Sequence, residues 1–141
     1  MKRRNEKNVP SFILLDDDAW ALAFSKEIIG SYSRSAETIT FTAAEDVIRY
    51  IGTEEFISRR KDTIFLTDLH MPGTDGFELL ERMESRFNSM LAWFHVFVLS
   101  AAACPEEIHR VSAYPCVLGF FYKPFSRDKL EEMLTRIGYP Y

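Results

Sequence analysis

Five short apolar runs, each ending in a polar or charged residue and each followed by helical periodicity, constrain this chain more than any other feature. The runs are Phe12–Leu15, Thr38–Phe41, Thr63–Thr67, His95–Leu99 and Val117–Tyr122. Short, nearly continuous apolar runs suit strands buried on both faces, and amphipathic helices between them supply the two covering layers. The alternation predicts an α/β fold, a doubly wound five-stranded parallel sheet with five helices. The third run leads into Asp68, and Leu69-His70-Met71-Pro72-Gly73-Thr74-Asp75-Gly76 then turns the chain away. In such sheets ligands bind outside the carboxyl ends of the strands, so Asp68 stands at a position for chemistry.

Residues 1–10 are polar, end in Pro10 and read as a disordered lead-in to one domain spanning 11–138, with no effector domain after it. A helix is expected over Ala19–Ile29, with an aspartate as N-cap and Gly30 just past its end. Thr42-Ala43-Ala44-Glu45 has the capping-box pattern and opens a helix whose Val47, Ile48 and Ile51 share a face, closed by Gly52. Residues 52–62 fit either a loop or a frayed helix around Glu55–Arg60. Asp75 is the N-cap of a helix carrying Leu79, Leu80, Met83 and Phe87 on one stripe. Pro105 suits the first position of the fourth helix, with Glu106 and Glu107 in its first turn, and Pro115 stops it. Ser126 caps a fifth helix with Leu130, Met133, Leu134 and Ile137 inward.

The formal charge is −4, and the basic runs Lys2-Arg3-Arg4 and Arg59-Arg60-Lys61 are short enough to be solvated faces, against nucleic-acid binding. No apolar stretch reaches the roughly 20 residues of a spanning helix, and the basic start lacks a secretory core, so a cytoplasmic protein without membrane contact is expected. Cys104 and Cys116 form no CxxC pair and suit a reducing compartment. A helix start at Cys104 would lower its thiol pKa, although a small semi-buried side chain is the plainer reading.

Parallel strands bring Asp16, Asp17, Asp68, Ser100 and Lys123 to one edge. Three clustered carboxylates repel by roughly a few kcal/mol per pair at an effective dielectric near 20, so they want a cation. Oxygen-only donors favour a hard ion, Mg²⁺. A metal held by acids beside a free carboxylate, a hydroxyl and an ammonium makes a phosphoryl site, with Asp68 as candidate nucleophile. Taken singly, the acids read as helix caps or turn residues, Ser100 as a satisfied hydroxyl and Lys123 as a surface charge. Their joint occurrence at successive strand ends favours one site. Trp20, directly after the acidic cluster, is expected exposed or packed at its rim.

Leu14-Leu15-Asp16-Asp17, Thr67-Asp68-Leu69-His70-Met71-Pro72-Gly73-Thr74-Asp75-Gly76, Val98-Leu99-Ser100-Ala101 and Phe120-Phe121-Tyr122-Lys123-Pro124-Phe125 resemble, in order and spacing, the motifs of a two-component response-regulator receiver domain of the CheY-like family. The resemblance covers about residues 11–137. It implies a flavodoxin-like strand order 2-1-3-4-5. It makes Asp68 the acceptor of a phosphoryl group from a sensor histidine kinase or a histidine phosphotransfer protein. Mg²⁺ would be held by Asp17, Asp68 and the His70 main-chain carbonyl, with Asp16 assisting, mainly through a coordinated water. Ser100 and Lys123 would bind the phosphoryl oxygens, Phe120 would be the switch aromatic, and Lys123-Pro124 the cis peptide. Output would pass through the face of the fourth helix, fifth strand and fifth helix to a downstream protein or a second copy of the chain. Only self-directed phosphotransfer and dephosphorylation are expected, not turnover of a separate substrate.

Two other readings compete. One is a phosphorylation-independent interaction module on the same fold, whose signature would be loss of the acids, acceptor or lysine, all of which are present. The other is a haloacid-dehalogenase-type phosphatase using Asp16 and Asp18. It would leave the Asp68 motif without a role and puts Trp20 where a small hydroxyl belongs.

Overall fold

The computed structural model describes residues 9–71, 73 and 75–139; Pro72, Thr74 and most of the lead-in, with its Lys2-Arg3-Arg4 run, lie outside the described residues. Five parallel strands, β1 (Ser11–Leu15), β2 (Thr38–Phe41), β3 (Thr63–Thr67), β4 (Phe94–Ser100) and β5 (Val117–Tyr122), form one sheet in the order β2-β1-β3-β4-β5. Among the described residues six helices cover it: α1 (Ala19–Tyr32), α2 (Ala44–Ile51), α3 (Glu54–Arg59), α4 (Gly76–Arg86), α5 (Pro105–Ser112) and α6 (Arg127–Arg136).

Alternate strand residues point to opposite faces, and two cores result. Phe12, Leu14, Ile64, Leu66, Phe97 and Leu99 pack under α1 and α6 against Leu22, Ile29, Leu130 and Met133. Ile13, Leu15, Phe65, Val96 and Val98 pack on the other face against Val47, Ile51, Phe56, Leu79, Met83 and Val111. Burial on both faces explains the continuous apolar runs. Val9 is buried in the first core, so packing begins ahead of β1.

Three local readings need correction. Among the described residues there are six α-helices rather than five, because Thr53 accepts the Phe56 N–H at 3.2 Å and caps α3, which Arg60 ends in the left-handed region at φ 44°. Gly30 lies inside α1, which runs on to Tyr32 because Tyr32 is buried and holds the last turn to the core. The α2 N-cap is Ala43, without a side-chain cap, and Glu45 instead meets Arg82 of α4 at 2.9 Å. Asp75 and Ser126 do cap α4 and α6, and Asp18 caps α1.

Candidate functional site

The strand order reverses at β1: the chain goes from β1 to β2 on one side, then to β3 on the other. The crevice between the ends of β1 and β3 is therefore where a ligand has access to the sheet edge. Leu15 pairs with Thr67, so the next residues, Asp16 and Asp68, are neighbours, and the Asp68 N–H donates to the Leu15 carbonyl at 3.1 Å. Both aspartates are buried, and Asp17 is exposed beside them. One carboxylate oxygen from each of the three lies within 4.8 Å of the others.

Lys123 follows β5 directly, and its N–H donates to the Ser100 carbonyl at 2.9 Å, aligning the ends of β4 and β5. Its ammonium bridges the cluster, pairing with Asp16 and with Asp68 Oδ2, the latter at 2.9 Å. Burial acts to lower the Lys123 pKa, but the contacts with Asp16 and Asp68 outweigh it and hold the amine above its ordinary value. Burial pushes the Asp16 carboxyl up against the pull of Lys123 and of the Asp18 N–H. One ammonium against three carboxylates leaves a formal deficit of two charges.

The Asp68 side of the pocket is built by backbone. Asp68 Oδ1 accepts the Leu69 N–H at 2.7 Å and the His70 N–H at 3.3 Å, so the chain wraps around one oxygen and leaves Oδ2 toward Lys123. The Thr67 hydroxyl donates to the Asp68 carbonyl at 3.0 Å, and the Gly76 N–H donates to the Leu69 carbonyl at 2.9 Å. The α4 start thus presses directly on the loop after β3. Ser100 is fully buried, its hydroxyl donating to its own loop at Ala102 at 3.4 Å. Phe120 is half-buried against the α2–α5 core, its ring meeting Tyr122 edge-on at 5.1 Å. The Tyr122 hydroxyl reaches the Ala103 carbonyl at 3.5 Å, tying this aromatic pair to the loop after Ser100. The Lys123-Pro124 peptide is cis.

The sequence model of the response regulator receiver domain matches residues 12–135. The chain belongs to that family. A response-regulator structure from Cytophaga hutchinsonii superposes on 92% of this receiver and 96% of itself, with a TM-score of 0.83 and 24% identity. A receiver protein from Dyadobacter fermentans superposes on 94% of it and on 100% of itself, with a TM-score of 0.79 and 24% identity. The two share its fold. A gliding motility regulatory protein of Myxococcus xanthus is 31% identical over 100 residues, 70% of this chain; that stretch is only 11% of the relative's length.

The receiver's geometry brings Asp16, Asp17, Asp68 and Lys123 together and sets Ser100 on the neighbouring strand end. Trp20 is 85% exposed, at the rim. With Phe24, 50% exposed one turn on, it lines a groove of about 390 Å³ that continues to Lys123, Pro124 and Phe125. Lys129 donates to the Tyr122 and Pro124 carbonyls, fixing the backbone on both sides of Lys123. Neither Phe24 nor Lys129 stood out in sequence, although Phe24 follows Trp20 at the i+4 spacing that puts both on one face. Cys104 meets neither expectation, the semi-buried side chain or the activated thiol. It is exposed, and the Glu107 main chain acts to lower its pKa, but the Glu106 and Glu107 carboxylates outweigh this and raise it. Among the described residues no helix is long and apolar enough to cross a membrane.

Proposed function

We propose that this receiver accepts a phosphoryl group on Asp68 from the phosphohistidine of a sensor histidine kinase or histidine phosphotransfer protein. The observation that carries the reading is the Asp68 carboxylate itself, with Oδ1 held by two backbone N–H groups and Oδ2 facing Lys123. A carboxylate oxygen attacks phosphorus, the nitrogen–phosphorus bond breaks, and the imidazole leaves with its electron pair. Mg²⁺ suits the remaining cluster. The donors are oxygens only, and metal–oxygen distances of roughly 2.1 Å separate opposite ligands by about 4.2 Å, so oxygens within 4.8 Å need only small side-chain rotations. Asp16, Asp17, Asp68 and the His70 carbonyl would hold it. When bound it would neutralise charge on the transferring phosphoryl group.

The phosphoryl group brings roughly two negative charges. Lys123 is placed to pair with them, and the Ser100 hydroxyl can exchange its long bond to Ala102 for a phosphoryl oxygen. That exchange draws the loop after β4 inward, and the Tyr122–Ala103 contact passes the movement to Phe120. The surface that would change is that of α5, β5 and α6, where Leu118 and Tyr122 are exposed. A downstream protein or a second copy of the chain would read it there. Lys123 also lines the groove of Trp20, Phe24 and Phe125, and a phosphodonor seated on it would bring its phosphoryl group toward Asp68.

The test is transfer from a radiolabelled, autophosphorylated histidine kinase. Label should move to the native chain with Mg²⁺, be released by hydroxylamine as an acyl phosphate is, and be absent from Asp68→Asn. A stable label insensitive to hydroxylamine would refute the assignment.

A further inference from the structure

Helix α1 carries its exposed apolar side chains on one stripe. Trp20, Phe24 and the half-buried Ile28 follow one another at i+4 spacing, with Ser31 exposed beyond them. Phe24 is a ridge between two hollows. Toward the helix start lies the groove of about 390 Å³ shared with Lys123, Pro124 and Phe125, and toward its end lies a second of about 270 Å³, lined by Phe24, Glu27, Ile28 and Ser31. Among the described residues Trp20 is the most exposed of the large apolar side chains, and an open indole is the kind of group that anchors an interface.

The two ends of the stripe differ in charge. Asp17 and Asp18 stand exposed at the helix start. At the other end Arg127 of α6 leans over the last turn, its Nη1 donating to the Ser31 hydroxyl at 3.4 Å and its Nε 3.7 Å from Glu131 Oε1. Both contacts are long, and a guanidinium carries five N–H donors, so it can take a further carboxylate. Trp20 and Ile28 each lie four residues from Phe24, and Asp17 and Ser31 each lie seven from it. At 1.5 Å per residue these are steps of about 6 Å and about 10.5 Å to either side. An antiparallel copy of α1, with the two Phe24 rings at the two-fold axis, therefore sets Trp20 of each chain over the Ile28 hollow of the other. It also sets each acidic helix start over the other chain's Ser31 and Arg127. A parallel copy would set Trp20 on Trp20 and acid on acid.

We propose that a second copy of this chain docks on this stripe in the antiparallel arrangement, an isologous pair anchored by Trp20 and Phe24. The stripe is one helix wide, so the interface falls in the small class under about 1,200 Å² and the pair forms and dissociates readily. Leu118 and Tyr122 lie on β5, outside the stripe, and take no part.

Sedimentation velocity reads the pairing directly, on the whole chain in chelator from about 10 µM to about 1 mM, where so small an interface should associate. The native chain should pass reversibly from monomer to dimer. Phe24→Glu sets two carboxylates against each other at the two-fold axis and should stay monomeric. Trp20→Ala should weaken association at least about tenfold, the scale of a tryptophan anchor. It only shortens an exposed side chain, so it reads the same contact if Phe24→Glu fails to fold. Asp17→Lys and Arg127→Glu should each weaken association roughly three- to fivefold. The double variant Asp17→Lys/Arg127→Glu should return to within about twofold of native, because the exchanged charges meet again across the axis. Leu118→Glu should associate like the native chain. A native chain that is monomeric throughout would overturn the proposal and leave the stripe to a partner of another kind. Dimers lost in Leu118→Glu and kept in Phe24→Glu would move the second copy to the β5 face, and no recovery in the double variant would break the antiparallel register; either result overturns it. None of these outcomes bears on whether Asp68 takes a phosphoryl group.

Discussion

Gly76 opens α4 with its Cα against the loop that carries Asp68. A Cβ there would meet Leu69 Cα at 2.6 Å, the Asp68 carbonyl oxygen at 2.9 Å and the Leu69 carbonyl oxygen at 3.0 Å. All three are backbone atoms of the segment that aims the Leu69 and His70 N–H groups at Asp68, so no side chain can swing aside. Gly76→Ala must separate α4 from this loop, an overpacking change of about 1–3 kcal/mol. Alanine's better helix propensity offsets roughly 0.5–1 kcal/mol. The net expectation is a loss of about 1–2 kcal/mol. For 141 residues the unfolding entropy is about 0.3 kcal/mol/K, so Tm should fall by roughly 3–7 °C. Gly30→Ala is the internal control. Gly30 is exposed within α1 and a Cβ there meets nothing within 4 Å, so the same chemical change should stabilise by about 0.5–1 kcal/mol. Calorimetric melting of both variants checks the signs. Acyl-phosphate loading of Gly76→Ala should also slow, since the Leu69 N–H is displaced from Asp68. A Gly76→Ala protein as stable as the native chain would refute the idea that this contact sets the loop after β3.

Lys123→Met removes the ammonium from Asp16 and Asp68 and should destabilise by about 3 kcal/mol, as when one partner of a largely buried pair is lost. Mg²⁺ should then raise Tm more in the variant than in the native chain; an equal shift would mean that the lysine and the ion do not share the carboxylates. Burial first, then the Glu84 carboxylate, pushes the Cys116 thiol up to about 12. A raised pKa contributes stability that is complete below the unfolded thiol's value near 8.5–9 and is lost as pH rises toward 12, by about 1.4 kcal/mol per pH unit from this group. Denaturant titrations of the native chain and Cys116→Ala across that window should show the variant losing stability less steeply. Asp62 accepts the Tyr139 hydroxyl at 2.7 Å and also meets His95 Nε2 at 3.1 Å, tying the segment three residues past α6 to the strand starts. Tyr139→Phe should cost about 1 kcal/mol in a chemical-denaturation midpoint, and no change would show the tie to be solvent-compensated.

The sheet was legible because strands buried on both faces leave continuous apolar runs, and their ends coincide with Asp16, Asp68, Ser100 and Lys123. Register followed from parallel pairing, which makes Asp16 and Asp68 neighbours once Leu15 pairs with Thr67. Short helices were less legible. Helix α3 has six residues and buries Phe56 alone, too little to generate a periodic stripe, and only Thr53 marked its start. At Gly30 the expected stop failed because packing of Tyr32 outweighed the cost of an internal glycine. At Thr42 the pattern fitted a capping box, but Glu45 found a better partner in Arg82 on α4. Contacts across the site escaped for the same reason. The His70–Glu107 bridge joins residues far apart in sequence, and Lys129 reaches two carbonyls that no side-chain pattern can announce.

Asp68, and no other carboxylate, is proposed to take the phosphoryl group. Intact mass after incubation with a small acyl phosphate tests it without any partner, comparing the native chain with Asp68→Asn in Mg²⁺ and in chelator. One phosphoryl increment on the native chain, present with Mg²⁺, lost in chelator and absent from Asp68→Asn, is the predicted result. An increment that survives Asp68→Asn would contradict the account and turn attention to Asp16. No increment on folded native protein with any donor would leave a phosphorylation-independent module on this fold.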